Sequence, residues 1–184
     1  MNHGILLVDD EPNVLSALER ALLDEPYTIY SAESGEEGLE RLSQTKVKVI
    51  VSDERMPGMG GAEFLSRVKE LQPQVVRIML TGHASVESTM KAVNRGEIYR
   101  FFIKPWDDTE LILSLRSAVE KYDLEEENRR LLRTVKRQSQ ELKMLEERFP
   151  GISAMHRDES GSFILPDISD DEVEEIIAAY CEES

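Results

Sequence analysis

One cysteine, Cys181, stands in 184 residues, so no internal disulfide can form, which fits a reducing compartment. Basic residues are the scarcer charge. There are 22 Lys and Arg against 37 Asp and Glu, a formal net charge of −15 at pH 7. Such a surface repels a phosphate backbone, and nucleic acid is therefore not expected as a direct partner. No apolar run approaches the roughly 20 residues of a membrane-spanning helix. The N-terminus has no basic stretch followed by a long apolar one, so neither a membrane anchor nor a secretory leader is expected. Three histidines, His3, His83 and His156, form no cluster with one another or with cysteine. Against these absences, hydrophobic residues make up 40%, enough for a core. The expectation is a soluble cytoplasmic protein with one ordinary domain and something smaller.

Up to residue 106 two kinds of segment alternate. "GILLV", "YTIYSA", "VKVIVS", "VVRIML" and "YRFFI" are short, apolar and β-rich. Between them "NVLSALERALLD", "GEEGLERLS", "GAEFLSRVKEL" and "SVESTMKAVNRG" carry apolar residues at helical spacing. Five strands alternating with helices predict a doubly wound α/β fold, its five-stranded parallel sheet covered on both faces. Pro12 suits a first helical turn, where its missing N–H costs nothing.

In an open parallel sheet the functional crevice lies beyond the carboxyl ends of the strands. Those ends carry Asp9 and Asp10 after the first strand, Asp53 after the third, Thr81 after the fourth and Lys104 after the fifth. Carboxylates crowded on one rim need a cation, and oxygen-only ligands point to Mg²⁺ rather than zinc. The glycines of "MPGMGG" predict a tight turn after Asp53 and are wrongly placed for a nucleotide-phosphate cradle.

"LLVDDEP", "VSDERMPGMGG", "IMLTGHA" and "FFIKPW", in this order, resemble the receiver domain of bacterial two-component response regulators. The resemblance spans roughly residues 3 to 121. By "GEIYRFFIKPWDD" it is similar to receivers joined to HD-GYP phosphodiesterases or helical output segments. It implies a flavodoxin-like receiver fold with Asp53 as phosphoacceptor. Asp9, Asp10 and Asp53 would be the Mg²⁺ ligands, with the backbone carbonyl of Arg55. Thr81 would be the switch hydroxyl, Lys104 the phosphate-pairing cation and Phe101 the rotating aromatic. Arg55 and His83 would tune how water reaches the acyl phosphate, and Pro105 would follow a cis peptide bond. The implied phosphodonor is a histidine kinase or a phosphotransfer protein.

From Asp107 to Phe149 there is neither Gly nor Pro, which predicts one extended C-terminal helix. Residues 1–121 would form the receiver, 122–149 a helical stalk, and 150–184 a small acidic α+β tail. In the tail a hairpin is expected around Glu159 to Gly161, followed by a helix capped by Ser169 and Glu172. A heptad register puts Leu124, Leu131, Gln138 and Leu145 at d and Asn128, Val135, Leu142 and Phe149 at a. That register favours a parallel homodimer over a helix that folds back or binds another protein. No DNA-reading helix, HD-type metal set or GGDEF loop is present in the sequence. The expected chemistry is therefore confined to phosphotransfer and dephosphorylation of the chain itself, and two outputs stay open. One is an adaptor that passes the signal through the stalk to a protein target. The other is a subunit or fragment that controls a separate catalyst, such as a cyclic-dinucleotide phosphodiesterase.

Overall fold

The computed structural model describes residues 3–82, 98–149, 156–157 and 163–164. Strands β1 (Gly4–Val8), β2 (Thr28–Ala32), β3 (Val49–Asp53), β4 (Val76–Thr81) and β5 (Arg100–Ile103) form a parallel sheet in the order β2-β1-β3-β4-β5. The described helices are α1 (Pro12–Ala21), α2 (Gly35–Gln44), α3 (Gly61–Leu71) and α4 (Asp108–Arg148). The expected helix over "SVESTMKAVNRG" and His83 before it lie outside the described residues.

The sheet is covered on both faces, as continuous apolar strands require. Every residue of β1, β3 and β4 is buried. On one face Ile5, Leu7, Val51, Ile78 and Leu80 meet Leu15 and Leu18 of α1 and Leu111, Leu115 and Ala118 of α4. On the other, Leu6, Val8, Ile50 and Met79 meet Leu42 of α2 and Phe64, Leu65 and Val68 of α3. Alternation along each strand assigns its neighbours to opposite cores.

Local chemistry sets the helix ends. Pro12 lies in the first turn of α1, where no intrahelical donor is lost. The apolar pattern runs to Asp24, but α1 ends at Ala21, with Leu22 as its cap. Leu22 is the last side chain of that stripe to be buried, while Leu23 is 81% exposed. Pro26 then disfavours helical backbone at Glu25. In α2 the Ser34 side chain accepts the Glu37 N–H, and Glu37 reaches back to the Glu33 N–H. Asp107 caps α4 by accepting the Glu110 N–H at 2.8 Å.

Just before β3, Lys48 is 11% exposed at its side chain and pairs with Asp123 of α4. Its ammonium also lies 3.0 Å from His3 Nδ1 and 5.7 Å from the centre of the Tyr122 ring. His3, assigned no chemistry from sequence, thus helps to secure the first part of α4.

The chain separates into two compact units, Met1–Arg129 and Arg130–Ser184. In the second, β6 (His156–Arg157) and β7 (Phe163–Ile164) pair antiparallel, within the segment expected to form a hairpin. The tail helix expected from Ser169 lies outside the described residues. No helix among the described residues is long and apolar enough to cross a membrane.

Candidate functional site

The strand order makes the crevice. The chain leaves β1 to one side for β2 and then crosses to the other side for β3. Connections that diverge from neighbouring strands open a gap beyond their carboxyl ends. Asp9 and Asp10 follow β1 and Asp53 closes β3, so the acid groups flank that gap.

Three of the expected residues meet there directly. The Lys104 ammonium lies 2.8 Å from Asp9 Oδ2 and 2.6 Å from Asp53 Oδ1. The remaining oxygens are bonded too. Asp9 Oδ1 accepts the Glu11 N–H at 2.9 Å, and Asp53 Oδ2 accepts the Arg55 N–H at 2.8 Å. Asp9 is 0% exposed and Asp53 is 7% exposed. Among the described residues, no buried side-chain nitrogen or oxygen lacks a partner.

Burial pushes the Asp9 carboxyl above its ordinary range, and the hydrogen bonds from Lys104 and Glu11 offset this only in part. For Lys104, burial pulls the pKa down. The hydrogen bonds to Asp53 and Asp9 together outweigh it and hold the ammonium above the usual lysine value. Lys104 is therefore a fixed positive charge at neutral pH.

The backbone beneath these groups is tightly joined. Lys104 donates its N–H to the Thr81 carbonyl at 2.8 Å, and Glu54 donates to the Leu80 carbonyl at 2.9 Å. The Lys104–Pro105 peptide is cis. After Asp53 the chain turns through Gly58, whose φ is +75°, a conformation side chains disfavour. A Cβ on Gly61 would stand 1.9 Å from the Asp53 carbonyl oxygen. Only glycine lets α3 begin that close to the end of β3.

Thr81 is wholly buried and donates its hydroxyl to Glu54 Oε2 at 2.5 Å. Phe101, opposite Met79 in the sheet, is half-buried against the second core. Asp10 is half-buried and Arg55 is exposed. Glu11, Asp53, Glu54, Arg55, Gly82 and Lys104 line a cleft of about 180 Å³. Three of its walls, Glu11, Glu54 and Gly82, were not singled out from sequence. For Glu54 only the strand register supplies the signal. Asp53 pairs with Leu80, so Glu54 and Thr81 fall side by side one step further on.

The donor set suits a hard divalent cation, being entirely oxygen. Asp9, Asp10, Asp53 and the Arg55 carbonyl would hold it, with water filling the other positions, as Mg²⁺ prefers. Among the described residues no three His, Cys, Asp or Glu side chains form a ready-made metal cage. Lys104 is the cation that Asp9 and Asp53 share here.

Residues 5–116 match a family described as the response regulator receiver domain. The hydrogenase transcriptional regulatory protein HoxA of Cupriavidus necator is 39% identical over 127 residues, covering 69% of this chain and 26% of HoxA. The chain thus spans about a quarter of the length of that relative. A solved structure of an adenylate cyclase from Rhodopirellula baltica overlays with a TM-score of 0.69 at 34% identity, covering 72% of this chain and 98% of that one. The signal receiver domain of an HD domain-containing protein from Pseudomonas fluorescens overlays with a TM-score of 0.65 at 39% identity, covering 68% and 93%.

Proposed function

Because the chain belongs to the response regulator receiver family, in which phosphorylation and Mg²⁺ binding are general features, we propose that Asp53 accepts a phosphoryl group from a histidine kinase or phosphotransfer protein. The observation that carries this reading is the Lys104 ammonium held between Asp53 and Asp9 at the mouth of the cleft. In the transfer an Asp53 carboxylate oxygen attacks phosphorus as the bond from phosphorus to the donor imidazole breaks. The electron pair leaves on that nitrogen, and a proton carried by the other ring nitrogen of the donor makes the departing group neutral imidazole. Little covalent chemistry is asked of the protein, so positioning and charge neutralisation dominate. The Arg55 N–H and Lys104 fix the two Asp53 oxygens. Lys104 then neutralises charge on the transferred group. Mg²⁺, when bound by Asp9, Asp10, Asp53 and the Arg55 carbonyl, supplies further neutralisation of the phosphoryl oxygens.

The phosphorylated aspartate offers new acceptors to Lys104 and to the Thr81 hydroxyl. Movement of Thr81 toward them frees space that Phe101 can enter, which changes the surface along β5. Arg55 at the cleft mouth, with His83, governs how water reaches the acyl phosphate and so the lifetime of the signal. The output runs through residues 122–149. Leu124, Leu131, Val135 and Leu142 are 53–66% exposed and, with Asn128 and Leu145, mark a seam for a second copy of the chain. A cytoplasmic adaptor that hands the signal to a protein target, without touching DNA itself, fits the charge of −15.

A second reading is favoured by the neighbours named as an adenylate cyclase and as part of an HD domain-containing protein. Here the chain controls a separate cyclic-nucleotide enzyme, such as a cyclic-dinucleotide phosphodiesterase. Both readings require the same acceptor. A radiolabelled phosphohistidine donor with Mg²⁺ is expected to label the wild-type chain and to leave Asp53→Asn at background. Undiminished labelling of that variant would move the acceptor elsewhere.

A further inference from the structure

The Thr81 hydroxyl has one proton to give, and it gives it to Glu54. Thr81 Oγ1 lies 2.5 Å from Glu54 Oε2, against 3.1 Å from the Gly82 carbonyl. A hydroxyl bonded to a carboxylate makes one of the stronger hydrogen bonds available to a neutral donor. The sheet places the two residues side by side. Asp53 pairs with Leu80 across β3 and β4, and the Glu54 N–H is bonded to the Leu80 carbonyl at 2.9 Å. Thr81 is tied from its other side by the Lys104 N–H at 2.8 Å. Glu54 also lines the cleft that holds Asp53 and Lys104, so its carboxylate stands where a phosphoryl group would arrive.

We propose that Glu54 is a positioning residue that holds Thr81 in the resting arrangement, competes with the phosphoryl group for its hydroxyl, and so sets the threshold of the switch. This rests on the reading of Asp53 as phosphoacceptor. The exchange is of like for like: one charge-assisted bond to Thr81 is lost at Glu54 and one is gained at the phosphoryl oxygens. Because the two nearly cancel, the net drive for switching is small. It is sensitive to whatever stands at position 54. Repulsion between the Glu54 carboxylate and a dianion on the adjacent residue adds to the same threshold. Removal of Glu54 lowers both costs. Replacement by glutamine keeps an acceptor for Thr81 but makes it neutral and weaker.

The test uses the whole chain with Mg²⁺ and beryllofluoride, which forms a phosphoryl-like adduct on an aspartate. Binding is followed by the fluorescence of Trp106, the one tryptophan. Glu54→Ala is expected to lower the half-saturating beryllofluoride concentration about tenfold and Glu54→Gln about threefold. In a Thr81→Val background, Glu54→Ala should change it by no more than about threefold, because the contested proton is gone and only the charge repulsion is left to relieve. A wild-type adduct with unchanged half-saturation in Glu54→Ala overturns the proposal. So does an undiminished gain in the Thr81→Val background, which would mean that Glu54 acts through charge alone. Absence of any adduct on the wild type, checked by ¹⁹F resonance, removes the Asp53 reading and this inference with it.

Discussion

Asp9, at the end of β1, is wholly buried, whereas Leu131, in the second half of α4, keeps 53% of its surface in contact with solvent. Each inverts the usual sorting of polar and apolar groups. At the crevice the inversion is compensated within the chain. Lys104 bonds both buried carboxylates, and backbone N–H groups take their other oxygens. Along α4 it is not. Leu111, Leu115 and Ala118 are fully buried, but Leu124, Leu132, Val135, Leu142 and Met144 are 60–68% exposed. One continuous helix therefore carries an apolar face that the sheet covers and another that the described residues leave open. The buried carboxylates stand at the proposed phosphorylation site, and the exposed leucines along the proposed seam.

The largest effect expected from probing this contrast comes from truncating matched leucines. Leu115→Ala leaves a cavity against the sheet and should cost about 2–5 kcal/mol in denaturant unfolding. Leu131→Ala should cost less than about 0.5 kcal/mol in the dilute chain. In the concentrated chain the proposed dimer seam requires a lower light-scattering mass for Leu131→Ala than for the wild type. Equal stability losses at the two positions would show that both halves of α4 are packed within one chain.

The same contrast governs what could be read from sequence. The strands were legible because parallel strands buried on both faces are continuous apolar runs, as at "GILLV" and "VVRIML". The meeting of Asp9, Asp53 and Lys104 was legible because all three follow apolar runs and a parallel sheet puts those ends on one rim. The end of α1 was not, since an exposed Leu23 continues the apolar pattern that burial had already left. The Lys48–His3–Asp123 group joins residues up to 120 positions apart, with no local pattern to announce it. Glu54 was hidden differently. Its role depends on strand register and rotamer, neither of which composition or spacing reveals.

A smaller effect separates a buried charge that stabilises from one that is merely tolerated. Burial holds the Asp9 pKa above its ordinary 3.8, so the folded chain binds that proton more tightly than the unfolded one does. The favourable contribution is fully present below about pH 3.8 and is lost as pH rises through the raised value. At neutral pH an ionised Asp9 therefore opposes folding. Asp9→Asn should raise stability at pH 7 in metal-free buffer, despite the loss of one ion pair. It should also flatten the decline in stability above pH 4. Equilibrium unfolding at several pH values checks this, and a variant destabilised at pH 7 would mean that the Lys104 pair outweighs burial.

Readiness for phosphorylation is proposed for Asp53 and for no other acid. Its most direct test is to phosphorylate the full chain with a small acyl-phosphate donor and Mg²⁺, reduce the product with borohydride, and sequence the peptides by mass spectrometry. Reduction converts a phosphorylated aspartate to homoserine. The expected result is homoserine at Asp53 alone; homoserine at Asp9, Asp10 or another aspartate while Asp53 stays intact would contradict this.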